Sequence, residues 1–372
     1  MRIHVNELRI GMFVSKLDIL WEDAPFLLQG FDLKTQADIQ AVQKVCDYVE
    51  VDGVRQKTVH GAVSSKSKKS FLKAFEDSKS VYQETSSLVK GMMDDIRFGN
   101  QLNVKAAKEA VADCVDQVLE SPSTMILLTQ LKNQDEYTSQ HSLNVCILSI
   151  LLARHLNYSV EDLNHIGVCG LLHDMGKMKI PTEVLNKPGK LTDDEAKIMQ
   201  SHTTLGRDII MSARDAYPGA VDVAYTHHEK LDASGYPRGL DQSGISVYAR
   251  LVSIVDAYDA ITSDRIYQNG RLHLQAINIL TQCRDSHFDA GLVLKFIDCI
   301  GIYPIGNPIE MKNGEVGVVI EVNLKNKTKP KVLMLMDADK LWIDGCVVDL
   351  AQEPVDMQGD PYRIYKVLRK DE

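Results

Sequence analysis

The chain has no CxxC pair, no long apolar run and no surplus of basic residues, and each absence excludes something. Its seven cysteines are scattered over 372 residues. An odd number at such spacing argues against a disulfide framework and for reduced thiols in a cytosolic protein. The longest apolar stretch, near Val145 to Ala153, is far short of the ~20 residues a spanning helix needs. Met1 to Glu7 carries no apolar core of a signal peptide, so the expected location is the cytoplasm, with no membrane span. A net charge of −9 argues against a DNA-binding surface, which is normally basic. It leaves room for a small anionic ligand where bound metal supplies local positive charge. No internal repeat or low-complexity block stands out.

What remains is a globular composition, 44% hydrophobic and 25% charged, with length for two or three domains. Residues 1–62 read as a small β-rich domain, with short apolar runs (Met12-Phe13-Val14, Phe26-Leu27-Leu28, Tyr48-Val49-Glu50-Val51) between turn formers. The polar, basic stretch Ser64 to Ser70 predicts an exposed linker over 63–70. Helical spacing follows. Val104, Ala107, Val111, Val115 and Val118 recur behind Asn103, a suitable N-cap, within connecting helices over 71–119. Ser121-Pro122, Ser159-Val160-Glu161-Asp162 and Thr192-Asp193-Asp194-Glu195 mark further helix starts up to about Ile300. From 302 to 372 the pattern turns to β, with Gly314 to Val322 and Lys331 to Leu335 as strands around a polar turn.

The chemistry-bearing residues lie in the helical part. His173 and Asp174 are adjacent inside Leu171-Leu172-His173-Asp174-Met175-Gly176-Lys177, and His227 and His228 precede Glu229. His141 opens an apolar helix, His202 follows a long helical segment, and Asp256 interrupts the apolar Val252-Ser253-Ile254-Val255 run. Unpartnered charges are expensive in such settings, so something must satisfy them. Neighbouring helix positions point about 100° apart, which lets His173 and Asp174 flank one centre, with Asp174 offering one oxygen to each of two metals. Lys177 is expected on the same helix face as His173, one turn on. Five histidines and two aspartates suffice for two divalent ions. Imidazole with carboxylate suits Fe, Mn or Zn better than Ca or Mg, and the lack of a cysteine in the set disfavours structural zinc. Two metals beside positive side chains suit phosphate-ester hydrolysis. Each residue alone has a plainer reading as a core histidine, a structural acceptor or a surface lysine.

Together these stretches (Glu136 to Val145, Leu171 to Pro181, Leu185 to Leu191, His227 to Leu240, Ala249 to Tyr267) resemble the HD-GYP phosphodiesterases, a branch of the HD hydrolase superfamily, over about 120–300. The first 60 or so residues look like an uncharacterised domain that often precedes them. The resemblance implies a mainly α fold: a helical HD-superfamily bundle over 120–301, a small β-rich N-terminal domain and a β-rich C-terminal appendage. It implies hydrolysis of a cyclic dinucleotide, chiefly cyclic di-GMP and in some members cyclic GMP-AMP, with iron or manganese. His141, His173, Asp174, His202, His227, His228 and Asp256 match metal ligands, Asp174 being the bridging carboxylate. Lys177 and Arg265 match phosphate-holding residues, and Tyr236 matches the tyrosine that faces substrate. Four departures bear on the site. Tyr137 stands where trinuclear members carry a metal-binding glutamate, so two metals are expected. Ala233 replaces a usual glycine, and Ile266 and Gln268 replace a common proline and a basic residue. Two other readings stay open, a non-catalytic receptor or scaffold for a signalling partner and an HD hydrolase of another nucleotide. The N-terminal domain is left with signal sensing, partner binding or homodimer formation.

Overall fold

The structure, a computed structural model, describes residues 2–9, 12–19, 31–33, 36–52, 65–130, 137–263, 270–323 and 325–368. At the N-terminus β1 (Arg2–His4), β2 (Phe13–Leu17), β3 (Phe31–Asp32) and β4 (Tyr48–Asp52) form an antiparallel sheet in the order β1-β4-β2-β3. Alternation sets its faces: Val49 and Val51 are buried while Tyr48 and Glu50, which alternate with them, are exposed. The covering element is a helix absent from the β-rich expectation, α1 (Gln36–Gln43), whose Ile39 and Val42 close a separate small core with Ile3, Val14 and Leu17. Only two large apolar residues mark it, too few for a periodic signal. The Phe26-Leu27-Leu28 run lies outside the described residues.

The expected linker is corrected. Residues 65–70 begin α2 (Ser65–Phe98), a single helix of 34 residues. Nothing in Ser65 to Ser70 breaks a helix, since lysine is a good helix former and neither Gly nor Pro occurs. Further along, Phe75, Tyr82, Val89, Met92 and Ile96 are buried along one stripe. Next come α3 (Val104–Glu120), capped by Asn103 accepting from Ala106 N at 3.1 Å, and α4 (Pro122–Gln130). The five α3 positions singled out from spacing are all buried.

The bundle is centred on α5 (Tyr137–His155), buried nearly all round. Against it lies α6 (Val160–Leu172), close enough that a Cβ on Gly170 would sit 3.0 Å from the Cys146 backbone. Around this pair run α7 (Thr182–Leu185), α8 (Asp193–Gln200), α9 (His202–Ser212), α10 (Pro218–Thr226), α11 (Val247–Thr262), α12 (His273–Gln282) and α13 (Ala290–Ile300). Ser159 caps α6, and Thr192 with Glu195 forms a complete capping box on α8. The tail is an antiparallel sheet, order β8-β7-β6-β5-β9, of β5 (Pro308–Met311), β6 (Val316–Glu321), β7 (Lys331–Met336), β8 (Trp342–Asp349) and β9 (Ile364–Val367). Its buried side chains Ile309, Val319, Val332 and Met334 belong to the same continuous core as the helices. No helix among the described residues is long and apolar enough to cross a membrane.

Candidate metal centre

The structure brings together all seven side chains expected to bind metal. His141 is the fifth residue of α5, His202 the first residue of α9, and Asp256 comes from the middle of α11. His227 caps the C-terminus of α10, and His228 follows it. The sequence-based picture of His173 and Asp174 as helix neighbours needs correction. The helix α6 stops at Leu172, His173 is its cap, and Asp174 (φ −105°, ψ 8°) starts a 3-10 turn over Met175–Lys179. That break turns the Asp174 carboxylate inward. It also places Lys177 beside Asp174, with Nζ 2.5 Å from Oδ2.

Asp174 divides the set. Its Oδ2 lies 3.3 Å from His173 Nε2 and 3.5 Å from His141 Nε2. Its Oδ1 lies 3.4 Å from His202 Nε2 and 3.7 Å from His227 Nε2. Asp256 Oδ1 joins the first side, 3.1 Å from His141 Nε2, and His228 joins the second. One carboxylate thus serves two adjoining cradles.

The imidazoles are oriented from behind. His173, His202 and His227 each place Nδ1 against a backbone carbonyl (Gly170 at 2.7 Å, Met199 at 2.7 Å, Val223 at 3.0 Å). A carbonyl only accepts, so Nδ1 carries the proton and Nε2 turns its lone pair to the centre. His141 does the same through Asp259, whose Oδ2 accepts from Nδ1 at 2.8 Å. Burial disfavours the protonated ring and pushes His202, His227 and His228 down, His228 to about 3. Burial opposes ionisation of Asp174, but Lys177 and then His173 outweigh it and hold the carboxyl well below the usual range.

These facts test whether cations fit. His202 Nε2 and His227 Nε2 face each other at 3.4 Å. With both Nδ1 atoms protonated and the rings neutral, two lone pairs meet head on. His173 Nε2 and Asp174 Oδ1 are buried with no hydrogen-bond partner, a costly condition for such atoms. A divalent cation in each cradle would satisfy every one of these groups, and the donors are nitrogen and oxygen of the kinds such ions take.

Two residues left without a role by the sequence reading prove structural to the site. Asp259, one helical turn beyond Asp256, orients His141 and accepts from Asn144 Nδ2 at 3.2 Å. The signal was a second acid on the same face of an apolar helix. Glu229 is buried and accepts from Arg238 N at 2.7 Å and Leu240 N at 2.9 Å. Tyr236 N donates to His228 O at 3.2 Å, so the loop after the histidine pair is tied at both ends. It carries the Tyr236 ring to 4.8 Å from that of His228. Burial raises the Tyr236 hydroxyl, which stays a donor. Arg265, Ile266 and Gln268 lie outside the described residues.

Ala233, at the family's usual glycine position, has φ 61°. Left-handed backbone costs a residue with a Cβ ~1–2 kcal/mol, partly offset by glycine's greater unfolded freedom. Ala233→Gly is therefore expected to stabilise the protein by ~0.5–1 kcal/mol. A urea midpoint that stays put or falls would contradict this.

A family model described as "HD domain" matches residues 125–292, and one described as "Domain of unknown function (DUF3391)" matches residues 1–107. The chain is 36% identical over 369 residues to the cyclic di-GMP phosphodiesterase PA4108 of Pseudomonas aeruginosa, covering 94% of this chain and 89% of that one. It is 35% identical over 156 residues to the 3'3'-cGAMP-specific phosphodiesterase 1 of Vibrio cholerae, covering 42% of this chain and 36% of that one. It is also 39% identical over 145 residues to the response regulator RpfG of Xanthomonas campestris, named a cyclic di-GMP phosphodiesterase, covering 38% of each chain. The chain thus spans little more than a third of the last two relatives. Among solved structures, Bd1817, an HDG"Y"P protein from Bdellovibrio bacteriovorus, superposes with a TM-score of 0.52 over 80% of this chain and 98% of that one. Its 17% identity makes that likeness one of fold alone. On the long match to the Pseudomonas protein and a centre assembled by the HD motif, the chain belongs to the HD-GYP family of HD-domain proteins, with a DUF3391 domain ahead of its HD domain.

Proposed function

We propose that the chain is a metal-dependent phosphodiesterase that hydrolyses a cyclic dinucleotide, cyclic di-GMP or 3'3'-cyclic GMP-AMP, to the linear dinucleotide. The observation that carries this reading is Asp174, one buried carboxylate whose two oxygens face two separate sets of imidazoles. We assign His141, His173, Asp174 and Asp256 to one cation and Asp174, His202, His227 and His228 to the other. Iron or manganese suits these donors, and Tyr137 in place of the family's glutamate favours two ions over three. Bound ions of this kind polarise a phosphate oxygen and make water acidic enough to attack at neutral pH.

The side chains supply the rest. Lys177 holds its ammonium at the rim of the centre, half-buried, where it donates to a non-bridging phosphate oxygen. Tyr236, kept protonated and fixed through its loop, donates its hydroxyl from beside His228. Arg265 is assigned to the phosphates by its motif position. Seven scattered cysteines with no CxxC pair fit a reducing compartment such as the cytoplasm. The N-terminal domain is the candidate surface for a signalling partner or a second copy.

The test is turnover by protein purified without oxygen and loaded with Mn2+ or Fe2+, offered a panel of cyclic and linear nucleotides, with products identified by mass. A linear dinucleotide from a cyclic one is expected. Tight binding without product over hours would instead make the chain a receptor, and faster cleavage of another nucleotide would move it to a different HD hydrolase class.

A further inference from the structure

Behind His141 runs a chain of buried hydrogen bonds that leaves the HD domain altogether. Asp259 Oδ2 accepts from His141 Nδ1 at 2.8 Å, and Asp259 Oδ1 accepts from Asn144 Nδ2 at 3.2 Å. The same Asn144 amide nitrogen donates to Thr129 O at 3.3 Å. A carboxylate and a carbonyl only accept, so the NH2 of Asn144 must face them and its Oδ1 must face away. There it accepts from the hydroxyl of Tyr82 at 2.9 Å. Tyr82 lies on α2, inside the region matched by the DUF3391 model and outside that matched by the HD model. All four side chains are buried, so water does not substitute for a lost bond. The helix touches the site's surroundings a second time where Arg97 Nη2 meets Met178 Sδ at 3.7 Å, just beyond Lys177.

We propose that Tyr82 is a positioning residue for the metal centre: through Asn144 and Asp259 it fixes the ring of His141, so that α2 sets the geometry of one cradle. The proposal rests on the proposed function, in that His141 must be a ligand. It makes the helix leading out of the N-terminal domain a physical link to the site.

The test uses the full-length protein and Mn2+ alone, titrated calorimetrically. Tyr82→Phe removes one oxygen and keeps the packed ring. Its Mn2+ affinity is expected to fall about tenfold, the low end of the range for groups that orient ligands from outside, and kcat to fall with KM unchanged. Asn144→Ser interrupts the same relay and must move affinity in the same direction. Thr85→Val is the control. It also removes a buried hydroxyl from α2, but one that contacts Cys114 at 3.7 Å and not the relay, and it should bind Mn2+ like the unaltered protein. Tyr82→Phe with undiminished affinity overturns the proposal alone. So does an equal loss in Thr85→Val, which would mean a general loosening of α2. Unaltered protein that takes up no Mn2+ overturns the proposed function as well.

Discussion

Replacing Asp174 by alanine is expected to abolish turnover, with a loss of at least ~10³-fold. The carboxylate turns one oxygen to each imidazole set, with Oδ1 3.4 Å from His202 Nε2 and Oδ2 3.3 Å from His173 Nε2. Losing metal-derived stabilisation of several kcal/mol, at 1.36 kcal/mol per tenfold, gives that order. The metal-free variant should nevertheless stay folded. In the unaltered protein the attraction of Asp174 to Lys177 and His173 outweighs its desolvation, so its removal costs stability, but the freed Lys177 ammonium is partly exposed and is not left as a buried unpaired charge. What disappears is stabilisation by added Mn2+, ~2.7 kcal/mol at a hundredfold excess over the dissociation constant. Thermal unfolding with and without Mn2+, beside turnover, reads both quantities. An alanine variant that still hydrolyses at the original rate would remove Asp174 from the centre.

Gly176→Ala is the second large effect, and it acts by shape. An added Cβ would sit 1.9 Å from His202 O and 2.5 Å from Gly206 N, both backbone atoms. No side-chain rotation relieves that overlap, so the first turn of α9 must shift and carry His202 from Asp174. Overpacking of this kind costs ~3 kcal/mol, and Mn2+ affinity should fall with it. Gly91→Ala offers the opposite sign. Gly91 lies within α2 with nothing within 4 Å of its would-be Cβ, and the change should stabilise by ~1 kcal/mol. Denaturant midpoints for the pair decide the matter, and equal midpoints would refute the steric argument.

Much of this architecture was readable before any coordinates. Asn103, Ser159 and Thr192 announce their helices because an N-cap is a local bond between residues two or three apart. The seven converging side chains were legible because charged and imidazole groups stand out in apolar runs and follow a recognised order. What sequence concealed depends on contacts between distant segments. The break at His173 and Asp174 exists because the chain must turn to lay Gly176 against α9, and nothing within Leu171 to Gly176 declares it. Asp259 shows its use only once α11 lies beside α5. Residues 65–70 looked like a tether because polarity alone does not distinguish helix from coil.

The tail of the chain has a bearing on how the protein can be cut. Gly306 fits under α4 because it lacks a side chain: a Cβ there would meet Leu127 Cδ1 at 2.7 Å. Ile309, Val319 and Val332 share one apolar interior with the bundle. An expression fragment ending near residue 301 would strip that cover and present Leu127 and its neighbours to solvent. The stop after α13 is a seam in the sequence and not in the packing, so the shortest well-behaved fragment has to keep the sheet.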